Sequence, residues 1–231
     1  MEIFNRRLLL EGGAEFGGRM SEPDLRALEL AGGLDSLVCI IPTAAAPDNN
    51  YKHAGEQGVR WFHKLGATNV FALNLVDCDC ANDSALADSI RAAKLIYLLG
   101  GFPRYLAETL SNSLCWRAAL DAAEQGTVIA GSSAGAMVLC EHYYDPYEKT
   151  LLRGLNLIPN TCVIPHHDNF GKEWVSQLIH LLPNATLLGI DERTGMLNEP
   201  DGLWTVYGAG GVTIYKDGQA TAHWQGDEFS I

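Results

Sequence analysis

Residues 127–139, TVIAGSSAGAMVL, join a run of β-formers to a helix-forming stretch through two adjacent serines set between glycines. Gly131-Ser132-Ser133-Ala134-Gly135 fits the pattern G-x-S-x-G. Small flanking residues are needed there because the central serine occupies a strained turn between strand and helix. In that frame Ser133 is the candidate nucleophile and Ser132 its inert neighbour. The amide of Ala134, the residue after Ser133, becomes a candidate oxyanion donor.

The same alternation extends to both sides of this turn. RLLLEGG (7–13) reads as a strand entering a glycine loop, and SLVCIIPTAAAP (36–47) as a buried strand ended by proline. NVFALNLV (69–76) and KLIYLLGG (94–101) read as further strands. Helices are predicted over 21–33, 49–66, 83–93, 103–111 and 114–124, and AGAMVLCEHY (134–143) reads as helical. Ser21 and Asp83 are the expected N-caps, Leu25, Leu28 and Leu30 the buried side of the first helix, and Gly66 the stop of the second. Apolar strands alternating with helices predict a mostly parallel central sheet covered on both faces, a three-layer α/β sandwich. Such sheets carry their sites at the carboxyl ends of the strands.

The last third reads differently. TCVIPHH (161–167) and ATLLGI (185–190) are predicted strands around a helix at 172–182. From residue 203 onward a β-rich C-terminal meander is expected, with Asp217-Gly218 as a two-residue hairpin turn and Gly208–Gly211 as a looser one. No linker or repeat interrupts the pattern, so one domain over 1–231 is expected.

The formal charge of −12, spread along 231 residues, argues against nucleic acid or an anionic membrane as partner. The opening MEIFNRRLLLEGGAEF has too short an apolar core for a secretory signal, and no run approaches transmembrane length. Cys39, Cys78, Cys80, Cys115, Cys140 and Cys162 lack framework spacing and read as buried reduced thiols in a cytoplasmic protein. Cys78-Asp79-Cys80 has no matching second pair, so no metal site is expected.

A serine nucleophile needs a base, and the base a carboxylate. His166 and His167 end a predicted strand, at the sheet edge where Ser133 should also stand. Adjacent strand residues point to opposite faces, so only one of the two rings faces the serine. His53, His63, His142, His180 and His223 lie elsewhere and read as structural or solvent-facing. For the acid, Asp191 and Glu192 follow the next strand, and Asp145 lies on the stretch YYDPYE; spacing does not choose among them. Gly100-Gly101, after KLIYLL, suits a second oxyanion donor because glycine lets a substrate approach the backbone closely.

Four motifs in this order, LLGG (98–101), GSSAGAM (131–137), PHHDNF (165–170) and GIDERTG (189–195), resemble the dipeptidase E and cyanophycinase family of serine peptidases. The similarity runs from about residue 38 to about residue 215, and GLNLIP (154–159) adds to it. The resemblance implies a class I glutamine-amidotransferase-like fold and hydrolysis of peptide bonds after aspartate, in α-aspartyl dipeptides or in β-linked aspartyl-arginine polymer. It implies Ser133 as nucleophile, His166 as base and Glu192 as acid, with Asp145 as the acid if the dipeptidase branch is the better guide. It implies no cofactor, a small aspartyl peptide as substrate, and a homodimer. Gly101 and Ala134 would then hold the oxyanion. Gly100, Arg104, Arg193 and His167 are the candidate substrate contacts, with arginine favoured because its fork grips a carboxylate at two points. Arg153 and Lys172 also lie near motif segments, and for any one of these cations a solvated surface is the plainer reading. One departure stands out. Phe102-Pro103 occupy places where the family carries a polar pair. That departure motivates an alternative, a non-catalytic amidotransferase-like module that binds a small acidic ligand or a protein partner.

Overall fold

The computed structural model describes residues 6–231. The first five residues, which belong to the opening segment and to the domain expected over 1–231, lie outside the described residues. Five strands lead up to and include the one before the elbow: β1 (Arg7–Glu11), β2 (Leu37–Ile41), β3 (Asn69–Ala72), β4 (Leu95–Leu98) and β5 (Val128–Ser132). Four more reach residue 190: β6 (Cys140–Asp145), β7 (Thr150–Arg153), β8 (Ile158–Ile164) and β9 (Thr186–Ile190). The last five are β10 (Thr194–Asn198), β11 (Trp204–Gly208), β12 (Gly211–Lys216), β13 (Gln219–Trp224) and β14 (Glu228–Phe229). The helices are α1 (Ser21–Leu30), α2 (Tyr51–Lys64), α3 (Ser84–Ala92), α4 (Pro103–Leu110), α5 (Leu114–Glu124), α6 (Ala134–Leu139) and α7 (Val175–Leu181).

Among the described residues the strands form two sheets. The first has the order β14-β11-β10-β1-β5-β4-β2-β3. Its five strands β1, β5, β4, β2 and β3 are parallel, and β10, β11 and β14 extend it antiparallel. The second has the order β13-β12-β9-β8-β6-β7, with only β6, β8 and β9 parallel.

Alternation along β1 shows how the layers are built. Leu8 and Leu10 join one apolar cluster and Leu9 the other, all fully buried. On the Leu9 side lie Leu28 of α1 and Phe62 of α2. On the Leu8 side lie Ile90 of α3, Trp116 of α5 and Met137 of α6, together with Leu188, Ile190 and Val212 of the second sheet. Each such buried leucine contributes about 1.5–3 kcal/mol to folding. Leu178 of α7 covers the outer face of the second sheet over Tyr144, Ile164 and Leu187.

The mostly parallel sheet with helices on both faces matches the sequence expectation, and the second sheet does not appear in it. AGAMVLCEHY is not one helix: α6 stops at Leu139, and Cys140 begins β6, which pairs with β7 and β8. The C-terminal segment is not one meander either. β11 pairs with β10 and β14 in the first sheet, whereas β12 and β13 belong to the second, so Gly208–Gly211 spans a crossing between sheets. The hairpin at Asp217-Gly218 stands, with both residues at positive φ (51° and 74°) as a tight turn requires.

Asp83 caps α3 as expected, accepting from the amides of Ala85 and Leu86. Ser21 does not cap α1, because a 3-10 turn over Gly18–Met20 runs straight into it and Met20 holds the cap position. Its buried face is Pro23, Asp24, Ala27 and Leu28; Leu25 is exposed and Leu30 only partly covered. All six cysteines are free, but Cys78 is exposed and Cys80 half-buried. No helix among the described residues is long and apolar enough to cross a membrane.

Candidate active site

The turn after β5 places Ser133 at φ 48°, ψ −112°, outside the ordinary regions for a side-chain-bearing residue. Strain of this kind costs on the order of 1–3 kcal/mol and persists only where surrounding structure enforces it. The enforcement is visible. Ser133 N donates to the carbonyl of Glu11 at 3.0 Å, and Met137 N donates to Ser133 O at 3.0 Å. A Cβ on Gly131 would stand 2.6 Å from Gly135 O, and one on Gly135 would stand 2.2 Å from Leu98 O. Both flanking glycines are therefore obligatory: nothing larger lets strand and helix close around the serine.

His166 follows β8 and is also left-handed, at φ 49°. Its Nε2 lies 3.0 Å from Ser133 Oγ, and its Nδ1 lies 2.8 Å from Glu192 Oε1. A proton on Nδ1 satisfies both contacts, donated to the carboxylate while Nε2 accepts from the serine hydroxyl. The ring is held from several sides. His166 N donates to Gly12 O at 2.7 Å, and a Cβ on Gly13 would lie 2.3 Å from the imidazole Cε1. Phe170 stacks on the ring at 4.7 Å between centroids. Glu192 in turn is positioned by its own amide, which donates to Asp168 Oδ1 at 2.8 Å.

His167 points the other way. It is buried, with Nδ1 3.2 Å from Asp191 Oδ1 and Nε2 2.9 Å from Tyr215 OH. Burial pushes the Asp191 carboxyl up. The bonds from His167 and the Gly211 amide, with the charge of Lys172, outweigh it and hold Asp191 below its ordinary value. The two histidines thus form two separate carboxylate pairs on opposite sides. This removes His167 from the expected substrate contacts and Asp191 from the candidate acids. Asp145 drops out for a different reason: it is buried at the end of β6 and accepts from the amides of Tyr147 and Glu148. With Ser133 and Glu192 on its two nitrogens, the His166 ring has no position left for either aspartate.

Gly100 faces the elbow. A Cβ on Gly100 would lie 3.3 Å from Ser133 Cβ, and one on Gly101, at φ 138°, would strike Ala44 O at 2.3 Å. Phe102 caps the other end of this turn and stacks on Tyr147 at 4.9 Å.

A cavity of about 540 Å³ opens beside these glycines, lined by Gly100, Gly101, Glu15, Phe16 and Trp61 among others. Its cations are Arg60 and Lys64 of α2, which sequence reading passed over. Their only signal was their spacing with Gln57 and Trp61 along one helix face. Arg104 and Arg193 do not line it. Arg104 is exposed and bonded to Glu108 at 2.8 Å; Arg193 is exposed in the left-handed turn between β9 and β10. Arg153 is exposed on β7 and pairs with Glu141. Gly12 and Gly13 were also missed as site residues, since a glycine loop after a strand carries no mark of what packs on it.

A strand–elbow–helix turn with a serine–histidine–carboxylate relay, set at the carboxyl ends of strands from both sheets, defines an α/β serine hydrolase. Residues 8–203 match the model of peptidase family S51. The chain belongs to that family. It is 28% identical over 229 residues to a cyanophycinase of Geminocystis herdmanii (strain PCC 6308), covering 94% of this chain and 82% of that one. A cyanophycinase of Trichormus variabilis (strain ATCC 29413 / PCC 7937) is 28% identical over 204 residues, covering 83% of this chain and 67% of that one. The crystal structure of a peptidase from an acI-B1 Actinobacterium superposes with a TM-score of 0.88 at 29% identity, covering 98% of this chain and 97% of that one. The family resemblance seen in the four motifs and the family match agree.

Proposed function

We propose that this serine peptidase cleaves aspartyl peptide bonds through Ser133, His166 and Glu192. The observation that carries the reading is the continuous relay from Glu192 Oε1 to His166 Nδ1, and from Nε2 to Ser133 Oγ, at 2.8 and 3.0 Å. A ligand-binding module has no use for such a relay, so the geometry favours catalysis over that alternative.

In the proposed reaction, Ser133 Oγ bonds to the scissile carbonyl carbon as its proton passes to His166 Nε2. Glu192 stabilises the resulting imidazolium. The amides of Gly101 and Ala134 receive the oxyanion. When the C–N bond breaks, the imidazolium returns its proton to the departing amine. A water activated by the same histidine then releases the acyl group and regenerates the serine. The aspartyl preference is supported by the cyanophycinase relatives and by Arg60 and Lys64, two cations within reach of a side-chain carboxylate in the cavity.

The test is amine release from a matched panel of α-aspartyl, β-aspartyl and non-acidic dipeptides, with wild type and Ser133→Ala. Serine-dependent cleavage confined to one aspartyl linkage supports the reading and selects its branch. Equal cleavage of non-acidic peptides removes the aspartyl assignment, and full activity in Ser133→Ala removes the mechanism.

A further inference from the structure

Glu15 lies on the loop after β1, and nothing in the proposed reaction uses it. Its Oε2 accepts a hydrogen bond from Ser132 Oγ at 3.0 Å, which ties it to the residue before the nucleophile. A methyl placed on Gly100 would stand 3.1 Å from Glu15 Oε1 and 3.3 Å from Ser133 Cβ. Carboxylate and nucleophilic residue therefore both border one methyl-sized space beside Gly100. Glu15 is also a wall of the 540 Å³ cavity that holds Arg60 and Lys64. Among the described residues no cation pairs with it, and Oε1 has no hydrogen-bond partner.

An unpaired carboxylate at this place opposes the reaction as proposed. Negative charge develops on the substrate oxygen at Gly101 and Ala134, and in a half-buried site a nearby anion is poorly screened. A cation brought by the substrate cancels it next to the reacting carbonyl. The acyl residue of a dipeptide carries such a cation, its α-ammonium, two bonds from the attacked carbonyl carbon in an α-linked peptide and three in a β-linked one.

We propose that Glu15 is a specificity-determining residue that binds the free α-ammonium of the substrate's acyl residue, restricting the enzyme to amino-terminal residues. The assignment rests on the peptidase reading above. Among the charges that line the cavity, which also include Asp48, Glu15 beside the serine takes the ammonium and the α2 cations take the side-chain carboxylate. An aspartyl residue buried inside a polymer, whose nitrogen is an uncharged amide, leaves Glu15 bare and is a poor substrate.

Glu15→Gln separates this role from a structural one, because glutamine still accepts from Ser132 Oγ but carries no charge. The substrates are one aspartyl dipeptide with a free amine and its N-acetylated form. Wild type is expected to prefer the free amine, and Glu15→Gln to lose about 10- to 100-fold in kcat/KM on it. On the acetylated peptide Glu15→Gln is expected to match or exceed wild type, because the repulsion is gone. For wild type alone, kcat/KM on the free peptide should fall above pH ~8, where the ammonium deprotonates. Equal wild-type cleavage of both peptides overturns the ammonium assignment and leaves the peptidase reading intact. A Glu15→Gln loss of the same size on both peptides also overturns it, in favour of a positioning role through Ser132. A wild type that cleaves neither of them, nor any other aspartyl peptide, overturns the peptidase reading and this assignment together.

Discussion

The three carboxylates that compete in the sequence for the acid position have three different environments, and substitution separates them. Glu192→Gln removes the charge beside His166 Nδ1 and should lower kcat by about a thousandfold or more, with the thermal midpoint nearly unchanged. Asp191→Asn breaks the His167 pair and weakens the bond to the Gly211 amide, so it should lower the midpoint while leaving kcat within a few-fold. Asp145→Ala uncaps the turn under Tyr147 and should likewise act on stability rather than on the serine. Activity assays paired with thermal unfolding of the three variants check this. A large kcat loss in Asp145→Ala with Glu192→Gln still active would return the acid to Asp145. Asp191 also carries a pH dependence. Its carboxyl is held below the ordinary value, so its contribution is present above that value and is lost as acid titrates through the depressed one.

At the level of elements, β1 and α1 meet through a buried pair of acids. Glu11 ends β1 and Asp24 lies in the first turn of α1, and both are fully buried. Tyr97 OH donates to one oxygen of Glu11, and Trp61 Nε1 donates to Asp24 Oδ2 at 2.8 Å. The remaining oxygens, Glu11 Oε1 and Asp24 Oδ1, have no other partner, which suits one proton held between them. Burial raises both carboxyls, Glu11 well above its ordinary range and Asp24 to about 7, and the charge of Glu15 adds to the rise in each. The folded chain therefore holds protons that the unfolded chain releases above pH ~4. Stability should fall as pH climbs from there through about 7, by several degrees in thermal midpoint. Asp24→Asn, neutral at every pH and still able to donate to Glu11, should flatten that slope; a slope unchanged by the substitution would dismiss the pair as its source.

What could be read in advance at this scale follows the same logic of burial. β2, β4 and β5 are covered on both faces, so their sequences are uninterrupted apolar runs and announce themselves. β6, β7 and β10, written CEHYYD, TLLR and TGMLN, are short and mixed; only their pairing partners make them strands. That Ser133 and His166 meet was legible because a strand's carboxyl end marks each of them. The choice between Asp191 and Glu192 was not, because spacing does not say how the chain turns after β9 and so which carboxylate faces which histidine. Glu15, Arg60 and Lys64 were invisible as a group, since the β1 loop, α2 and the end of β4 meet only in three dimensions.

Across the whole molecule the candidate triad belongs to neither sheet alone. Ser133 follows β5 of the first sheet, His166 follows β8 of the second, and Glu192 sits where the chain passes from β9 to β10, from the second sheet back to the first. Distances of 2.8 and 3.0 Å survive only while the two sheets keep their seating. Loss of peptidase activity in denaturant should therefore coincide with loss of tryptophan fluorescence and circular dichroism. Activity that disappears well before either spectroscopic signal would show that the sheets separate first.

The chain crosses between the sheets three times after residue 190: at β9–β10, at β11–β12 and at β13–β14. Synthesis from the amino terminus delivers the serine and its parallel strands at residue 133, before the base and long before the acid. The Asp191–Gly211 bond that braces the acid's neighbour, and the β14 edge, arrive last of all. A nascent chain thus carries a nucleophile with no base, then a base with no acid. In a growing chain the candidate centre therefore stays incomplete until residue 192 has been made, and unbraced until the strands after it have joined both sheets.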